Sequence, residues 1–328
     1  MRYLLRRISF YIVTAWVSLT INFFLPRLVP GDPAQAILAR FRDKNPSPEM
    51  IQALEIQFGI SHDPLWVQYL QYINNLFHGN LGVSTNYFPT TVSTIIAQRM
   101  PWTLGLGLLT LLISFILGTL LGVLNAWKRG TKVDTIISPM IMMLSGIPYF
   151  WLAFICLYVF GFTFNWFPLN GGYDEGLVPS FDPDFIVSVL SHAILPALTI
   201  IVSSLAGWML TMRNTMITTL SEDYILMAQA KGLSRGRVML LYAARNAILP
   251  SITSFALALG FIVSGQLLTE TVFSYPGIGF AFVQAIGDKD YALMQGVFLI
   301  LSLAVLAANF IADLTYAALD PRVRVGGK

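Results

Sequence analysis

Residues 221–250 read SEDYILMAQAKGLSRGRVMLLYAARNAILP, a polar, helix-prone stretch between two long apolar runs. Ser221 is suited to cap a helix. Glu222 and Asp223 then fall in the first turn, where the helix dipole favours acids. Tyr224 to Lys231 is good helix material. Gly232 can take the left-handed conformation that ends a helix, and Ser234 can cap a second one leading through Arg245 and Asn246 into the next apolar run. The expected form is helix, sharp corner, helix. A merely topogenic basic loop would account for the charges, but not for two caps and a glycine at the corner.

The surroundings make that corner a projection from a membrane protein. Of 328 residues, 55% are hydrophobic and 11% charged, against about 25% charged in a soluble domain. Mean hydropathy is +0.67. A membrane-crossing helix needs about 20 apolar residues, and six runs qualify: 8–26, 100–127, 135–160, 185–212, 246–269 and 291–312. The fold class predicted is an all-α membrane protein of six transmembrane helices. Pro139, Pro148 and Pro196 are tolerable kinks if neighbours satisfy the freed backbone groups. The first run follows the basic MRYLLRR but is too long for a signal peptide core and lacks a small-x-small site, so it reads as a retained helix.

Placing the N-terminus in the cytoplasm puts most of the 20 Lys and Arg on that side. They are Arg2, Arg6 and Arg7; Lys128, Arg129 and Lys132; Arg213, Lys231, Arg235, Arg237 and Arg245; and Arg322, Arg324 and Lys328. This is the asymmetry of cytoplasmic loops. The loop at 161–184 has acids (Asp174, Glu175, Asp182, Asp184) and no base. Both termini and the stretch at 221–250 are then cytoplasmic. The chain divides into a tail and first span (1–29), an extracytoplasmic segment (30–99) and a five-helix core (100–328) with the projection at 221–235.

In the outer segment, PGDPA at 30–34 is turn-forming. SPEMIQALEIQFG, from Ser47, predicts a short helix with Pro48 at its first position and Gly59 at its end. LWVQYLQYINNLFHG predicts a second, with Leu65, Tyr69, Tyr72, Ile73 and Leu76 near one face and aromatics suited to a membrane interface. With few large apolar side chains, the segment reads as a packed cap over the bundle rather than a ligand-binding domain.

Catalytic and metal chemistry is not signalled. His62, His78 and His192 have no metal-site spacing, and Cys156 is the lone cysteine. There is no Gly-x-Ser-x-Gly elbow, no Gly-x-x-x-x-Gly-Lys-Ser/Thr loop and no intramembrane carboxylate pair. No catalytic residue, metal or cofactor is expected in this chain, and no nucleic-acid partner. If it pumps, a partner supplies the energy. Polar residues in the later spans, Ser203, Ser204, Ser264 and Gln266, could line a substrate path; interhelical hydrogen bonds are the plainer use of them. An ion-coupled secondary transporter is the rival class, but it would call for buried ionisable residues and more spans.

AQAKGLS at 228–234, followed by RNAILP at 245–250, resembles the cytoplasmic coupling motif of ATP-binding-cassette importer permeases. Further motifs cover nearly the whole chain: RYLLRRI at the start, PGDPA, FGI, PLWVQY, GNLGVS at 79–84, ETVFSYPGIG at 270–279 and DLTYAALDPRVR at 313–324. Together they resemble the dipeptide, oligopeptide and nickel permease family, on the subunit with the long outer segment. One feature departs from the general importer motif, which begins Glu-Ala-Ala: those positions here are Leu226, Met227 and Ala228. The resemblance implies a type I ABC importer permease fold in a prokaryotic cytoplasmic (inner) membrane. It implies that Glu222, Asp223, Tyr224, Ala228, Ala230, Lys231, Gly232, Leu233, Ser234 and Arg235 couple to an ATPase. The implied partners are a second homologous permease, two cytoplasmic ABC ATPases holding ATP and Mg2+, an external substrate-binding protein and membrane lipid. The implied cargo is short peptides, with oligosaccharides or nickel complexes as alternatives. Glu270, Tyr275, Pro276 and Gly277 would form an outer loop or gate, with Gly277 and Gly279 supplying its turn geometry.

Overall fold

The computed structural model describes residues 2–28, 63–262 and 266–319. The helix expected at 47–59 lies outside them. Among the described residues the regular structure is helical, apart from one isolated bridge between Val83 and Thr91. In chain order the helices are α1 (Arg2–Leu28), α2 (Leu65–Phe77), α3 (Val92–Trp127), α4 (Lys132–Ser145) and α5 (Tyr149–Cys156), the last extended by the π-helical Leu157–Thr163. Then come α6 (Pro183–Leu220) and α7 (Asp223–Ala230). Helix α8 starts as Arg235–Arg237 and runs through the π-helical Val238–Ala244 to Arg245–Ala247. It is followed by α9 (Leu249–Phe261), α10 (Leu267–Val272), α11 (Ile278–Gly287) and α12 (Tyr291–Leu319).

By length and composition, α1, α3, α6 and α12 can each cross a membrane, and α4 with α5 makes a fifth if that bent pair counts as one span. The all-α class is met. Two of the six expected runs take another form. Run 135–160 is not one helix: α4 and α5 meet at 93°. Pro148 is extended (φ −53°, ψ 132°) and precedes α5. A proline offers no N–H and disfavours helix in the residue before it, so α4 stops at Ser145. Run 246–269 holds α9, of 13 residues, and the start of α10. Alone, α9 rises about 20 Å, less than the roughly 30 Å of hydrocarbon.

By contrast α3 and α6, of 36 and 38 residues, rise about 54 and 57 Å. Each overshoots the bilayer. Hydroxyls on them bond back to their own helix, as Thr110 does to the Leu106 carbonyl (2.8 Å) and Ser203 to that of Thr199 (2.8 Å). That leaves few polar groups open to lipid.

The chain forms two compact units. One comprises Met1–Thr103, Val263–Leu267 and Pro276–Lys328; the other comprises Leu104–Ile262 and Leu268–Tyr275. In the first, α1 and α11 each lie against α12. Val92, Ile95 and Ile96 of α3 share a core with Ile278, Ala285, Leu293, Met294 and Val297. Asp290 caps α12 by accepting from the Leu293 N–H (3.0 Å), and also accepts from the Ser84 hydroxyl and the Asn86 N–H. Tyr87 adds a bond to Gln284 (2.8 Å). The GNLGVS segment is thereby held to the α11–α12 corner.

In the second unit α6 is the central element, touched by α4, α5, α7's neighbours and α9. It meets α3 almost backbone to backbone. A Cβ at Gly118 would lie 2.5 Å from the Trp208 Cβ, and one at Gly122 would lie 2.6 Å from the Met209 carbonyl oxygen. Glycine is required at both positions for the helices to approach so closely.

Candidate functional site

Helix α7 stands at the end of α6. Ser221 closes α6, and its hydroxyl donates to the Thr218 carbonyl (2.7 Å). Glu222 therefore takes the cap position of α7 (φ −76°, ψ 145°), with Asp223 as the first helical residue. This corrects the assignment of Ser221 as the cap: its backbone is still helical (φ −89°, ψ 0°), and the extended conformation an N-cap needs comes one residue later, at Glu222.

The far end of α7 forms a Schellman turn. The Leu233 N–H reaches the Ala228 carbonyl (3.3 Å) and the Gly232 N–H that of Gln229 (2.9 Å). Gly232 carries the left-handed backbone, φ +75°. Ser234 begins α8 in an extended conformation (φ −60°, ψ 145°), without a side-chain cap bond.

The two sides of α7 have opposite uses. Ile225 and Ala228, one turn apart, are buried among Val123 and Ala126 of α3, Met212 and Met216 of α6, and Val238, Ala243 and Ala247 of α8. Asn246 donates to the Tyr224 hydroxyl (3.1 Å). Leu226 and Met227 point away, 58% and 63% exposed. Glu222, Asp223, Ala230, Lys231 and Arg235 are also exposed, and Leu233 is half-buried. The resemblance implies Ala228 among the residues that couple to an ATPase. It instead packs inward, because the body of the protein lies on that side of the helix.

An ion pair that the sequence reading missed lies nearby. Asp134, in the first turn of α4, accepts from Arg213 of α6 at Nε (3.0 Å) and Nη2 (3.1 Å). It also accepts from the Ser138 hydroxyl (3.1 Å) and the Gly130 N–H (3.2 Å). The two side chains are only 12% and 21% exposed. The legible signal was an acid opening one apolar run and a base closing another; what the sequence could not give was their pairing.

Ser203 bonds within α6, while Ser204 donates to Ser114 of α3 (2.9 Å) and to the Ile200 carbonyl (2.8 Å). Gln266 is half-buried, and Ser264 lies outside the described residues.

In the stretch 270–279, Glu270 and Tyr275 are fully buried, and the Tyr275 N–H closes on the Glu270 carbonyl (2.8 Å). Burial, and secondly the Glu270 carboxylate, push the Tyr275 phenol up to about 12. Gly277 is extended (φ −88°, ψ −179°), so the turn does not depend on it. Ser274 is the residue with positive φ (47°), which corrects the expectation that Gly277 and Gly279 supply the turn geometry. Pro276 is half-buried. The acidic loop docks here: the Gly171 N–H donates to the Phe273 carbonyl (3.0 Å), and Asp174 accepts from Ser188 (2.6 Å). His192 is buried beside them, its Nδ1 on the Ser188 carbonyl (2.8 Å). Among the described residues no group of three or more His, Cys, Asp or Glu is placed to hold a metal ion.

Comparison with known proteins gives two family matches. The family described as binding-protein-dependent transport system inner membrane component covers residues 118–325, and the N-terminal family of such components covers residues 1–107. The chain is 33% identical to the di/tripeptide transport system permease of Pseudomonas aeruginosa over 98% of each chain. It is 32% identical to the oligopeptide transport system permease of Bacillus subtilis over 98% of each, and 32% identical to the dipeptide transport system permease of Escherichia coli over 99% of each.

Proposed function

Because this chain belongs to the binding-protein-dependent transport system inner membrane components, we propose that it is the permease subunit of an ATP-driven importer that takes up short peptides. The peptide assignment follows the names of its full-length relatives. The protein is a multi-pass inner-membrane component and not itself an ATPase.

The observation that carries the mechanism is the two-sided α7. Its inner side, Ile225 and Ala228, is locked into a core shared by α3, α6 and α8. Its outer side leaves Leu226, Met227, Ala230 and Lys231 exposed. We assign that outer side to a cleft in a cytoplasmic ABC ATPase, one of two that hold ATP and Mg2+. Closure of the ATPases moves α7, and the shared core passes the motion to the spans, biasing a two-state change in access. The departure from Glu-Ala-Ala has a physical meaning in this scheme: contact at Leu226 and Met227 is apolar, so it depends on burial and not on an ion pair.

The complete unit comprises this chain, a second homologous permease, two ATPases and an extracytoplasmic binding protein. In the topology proposed, both termini and α7 are cytoplasmic and there are six crossings. The sixth is α9 continued from α8. Helical hydrogen bonds span the join at Ile248, whose N–H reaches Ala244 (3.0 Å) and whose carbonyl accepts from Ile252 (2.9 Å). The 270–279 stretch and the acidic loop face the binding protein.

The test is purification of the tagged chain from its native membranes in mild detergent, followed by mass spectrometry. Retention of a second permease and Walker-motif ATPases is expected. A chain that emerges alone, while other membrane complexes survive, overturns the proposal.

A further inference from the structure

Helix α2 is amphipathic in an unusual way. LWVQYLQYINNLF contains no charged residue. One apolar stripe is already used against α1. Tyr69 shares a hydroxyl–hydroxyl bond with Thr20 (2.8 Å), Tyr72 accepts from Asn22 (3.2 Å), and Gln68 accepts from Arg27 (3.0 Å). The rings of Tyr69 and Tyr72 lie 5.2 and 5.6 Å from that of the buried Phe23. These contacts set α2 alongside the last two turns of α1.

A second stripe is open. Trp66, Leu70 and Phe77 are 67%, 58% and 78% exposed. At about 100° per residue they fall together on the α2 surface, beside the stripe that meets α1. The α1 residues at this level are also open: Val17, Ile21 and Phe24. They belong to a helix long and apolar enough to cross the bilayer, so hydrocarbon covers them.

We propose that α2 lies in the lipid interface at the C-terminal end of α1, with Trp66, Leu70 and Phe77 inserted among the acyl chains and headgroups. Depth fixes the occupant as lipid. The helix is bonded to α1 between Thr20 and Arg27, where α1 leaves the hydrocarbon, and its open stripe is apolar like the exposed α1 side chains at that level. Tryptophan is the side chain best suited to that level. With no charge on α2, apolar burial holds it and attraction to anionic headgroups does not. Its seating is therefore independent of lipid charge. The inference rests on α1 as a membrane span and not on the identity of the cargo or the role of α7.

The test uses the assembled transporter in nanodiscs, with Cys156→Ser as background and single cysteines replacing Trp66, Leu70, Phe77, Gln71 or Asn75 in turn. Each carries a nitroxide, and collision with oxygen is compared with collision with a water-soluble nickel chelate. Positions 66, 70 and 77 are expected to favour oxygen, and positions 71 and 75, on the far side of the helix, to favour nickel. The pattern should be the same in zwitterionic and anionic bilayers. Nickel reaching 66, 70 and 77 as freely as 71 and 75 overturns the proposal. So does protection of the stripe that appears only when the extracytoplasmic binding protein is added, since the occupant is then a protein.

Discussion

Replacing Leu226 and Met227 together by serine separates the outer side of α7 from its structural side. Fully covering a Leu or Met side chain contributes about 1.5–3 kcal/mol. Scaling by the 58% and 63% still open leaves about 1–2 kcal/mol at each position. Ordering costs offset part of this, so a combined loss of about 2–3 kcal/mol is reasonable, or about 30- to 150-fold in affinity. The assay is binding of the purified ATPase subunits to the permease complex in nanodiscs, with ATP-driven uptake and thermal unfolding measured in parallel. Affinity and uptake should both fall while the unfolding midpoint stays put, because neither side chain is part of a core. Ile225→Ala is the contrasting variant. It empties a buried position and should lower stability by about 2–4 kcal/mol, so its loss of uptake carries no information about the ATPase. An unchanged ATPase affinity in the double-serine variant would refute the assignment of this surface, whatever happened to uptake.

Gly232→Val should insert and fold but lose uptake. No atom lies within 4 Å of its added Cβ, so the cost is the left-handed backbone itself, about 1–2 kcal/mol or more for a β-branched residue; Gly232→Asn, which tolerates that conformation, should transport, and full uptake by the valine variant would count against a fixed corner. Arg213→Ala leaves a mostly buried Asp134 carboxylate without its cation and should lower stability by about 2–4 kcal/mol; an Asp134→Arg, Arg213→Asp exchange should recover part of it in thermal unfolding, and no recovery would point to the hydrogen bonds from Ser138 and Gly130 as the larger contribution. Tyr275 should ionise late. Its folded value is raised to about 12 from an unfolded value of about 10, so the stability it contributes is complete below pH 10 and disappears as pH rises through 12; phenolate absorbance compared with Tyr275→Phe measures this, and ionisation at the ordinary value would show that the site is wet.

What was legible in the sequence was local. The α7 corner followed from one glycine whose conformation needs no side chain, and α2 from the periodic pattern of Leu65, Tyr69, Tyr72, Ile73 and Leu76. What escaped depended on neighbours. Ser221 could serve either of two helix ends, and the choice turned on where the backbone leaves the helical conformation, which is one residue later, at Glu222. Ala228 and Leu226 both lie on a helix of eight residues, and which one faces inward is decided by where α3 and α6 lie. Pro139 and Pro148 occupy one apolar run, yet α4 passes through the first and stops before the second. Asp134 and Arg213 are 79 residues apart, and nothing local joins them. The Gly118-x-x-x-Gly122 spacing, in contrast, was open to reading as a close helix contact.

Those neighbours also determine how far a push on α7 can travel. Side chains absorb displacement where they are free to move, and those around Ile225 are enclosed: Met212, Met216, Ala243 and Ala247 beside it are all at 0% exposure. Close-packed interiors transmit strain instead of relaxing it. The next interface outward is also tight, since at Gly118 and Gly122 the α3 backbone lies directly against the α6 backbone and the Cβ atoms of Trp208 and Met212. Arg213 then ties α6 to the start of α4 by two hydrogen bonds to one carboxylate, a planar contact that resists sliding as well as separation. A force on Leu226 and Met227 therefore cannot be spent in repacking at the base of α7. It reaches the ends of α3, α4, α6 and α8 together, and α6 carries it onward through a helix about 57 Å long, nearly twice the thickness of the hydrocarbon it crosses.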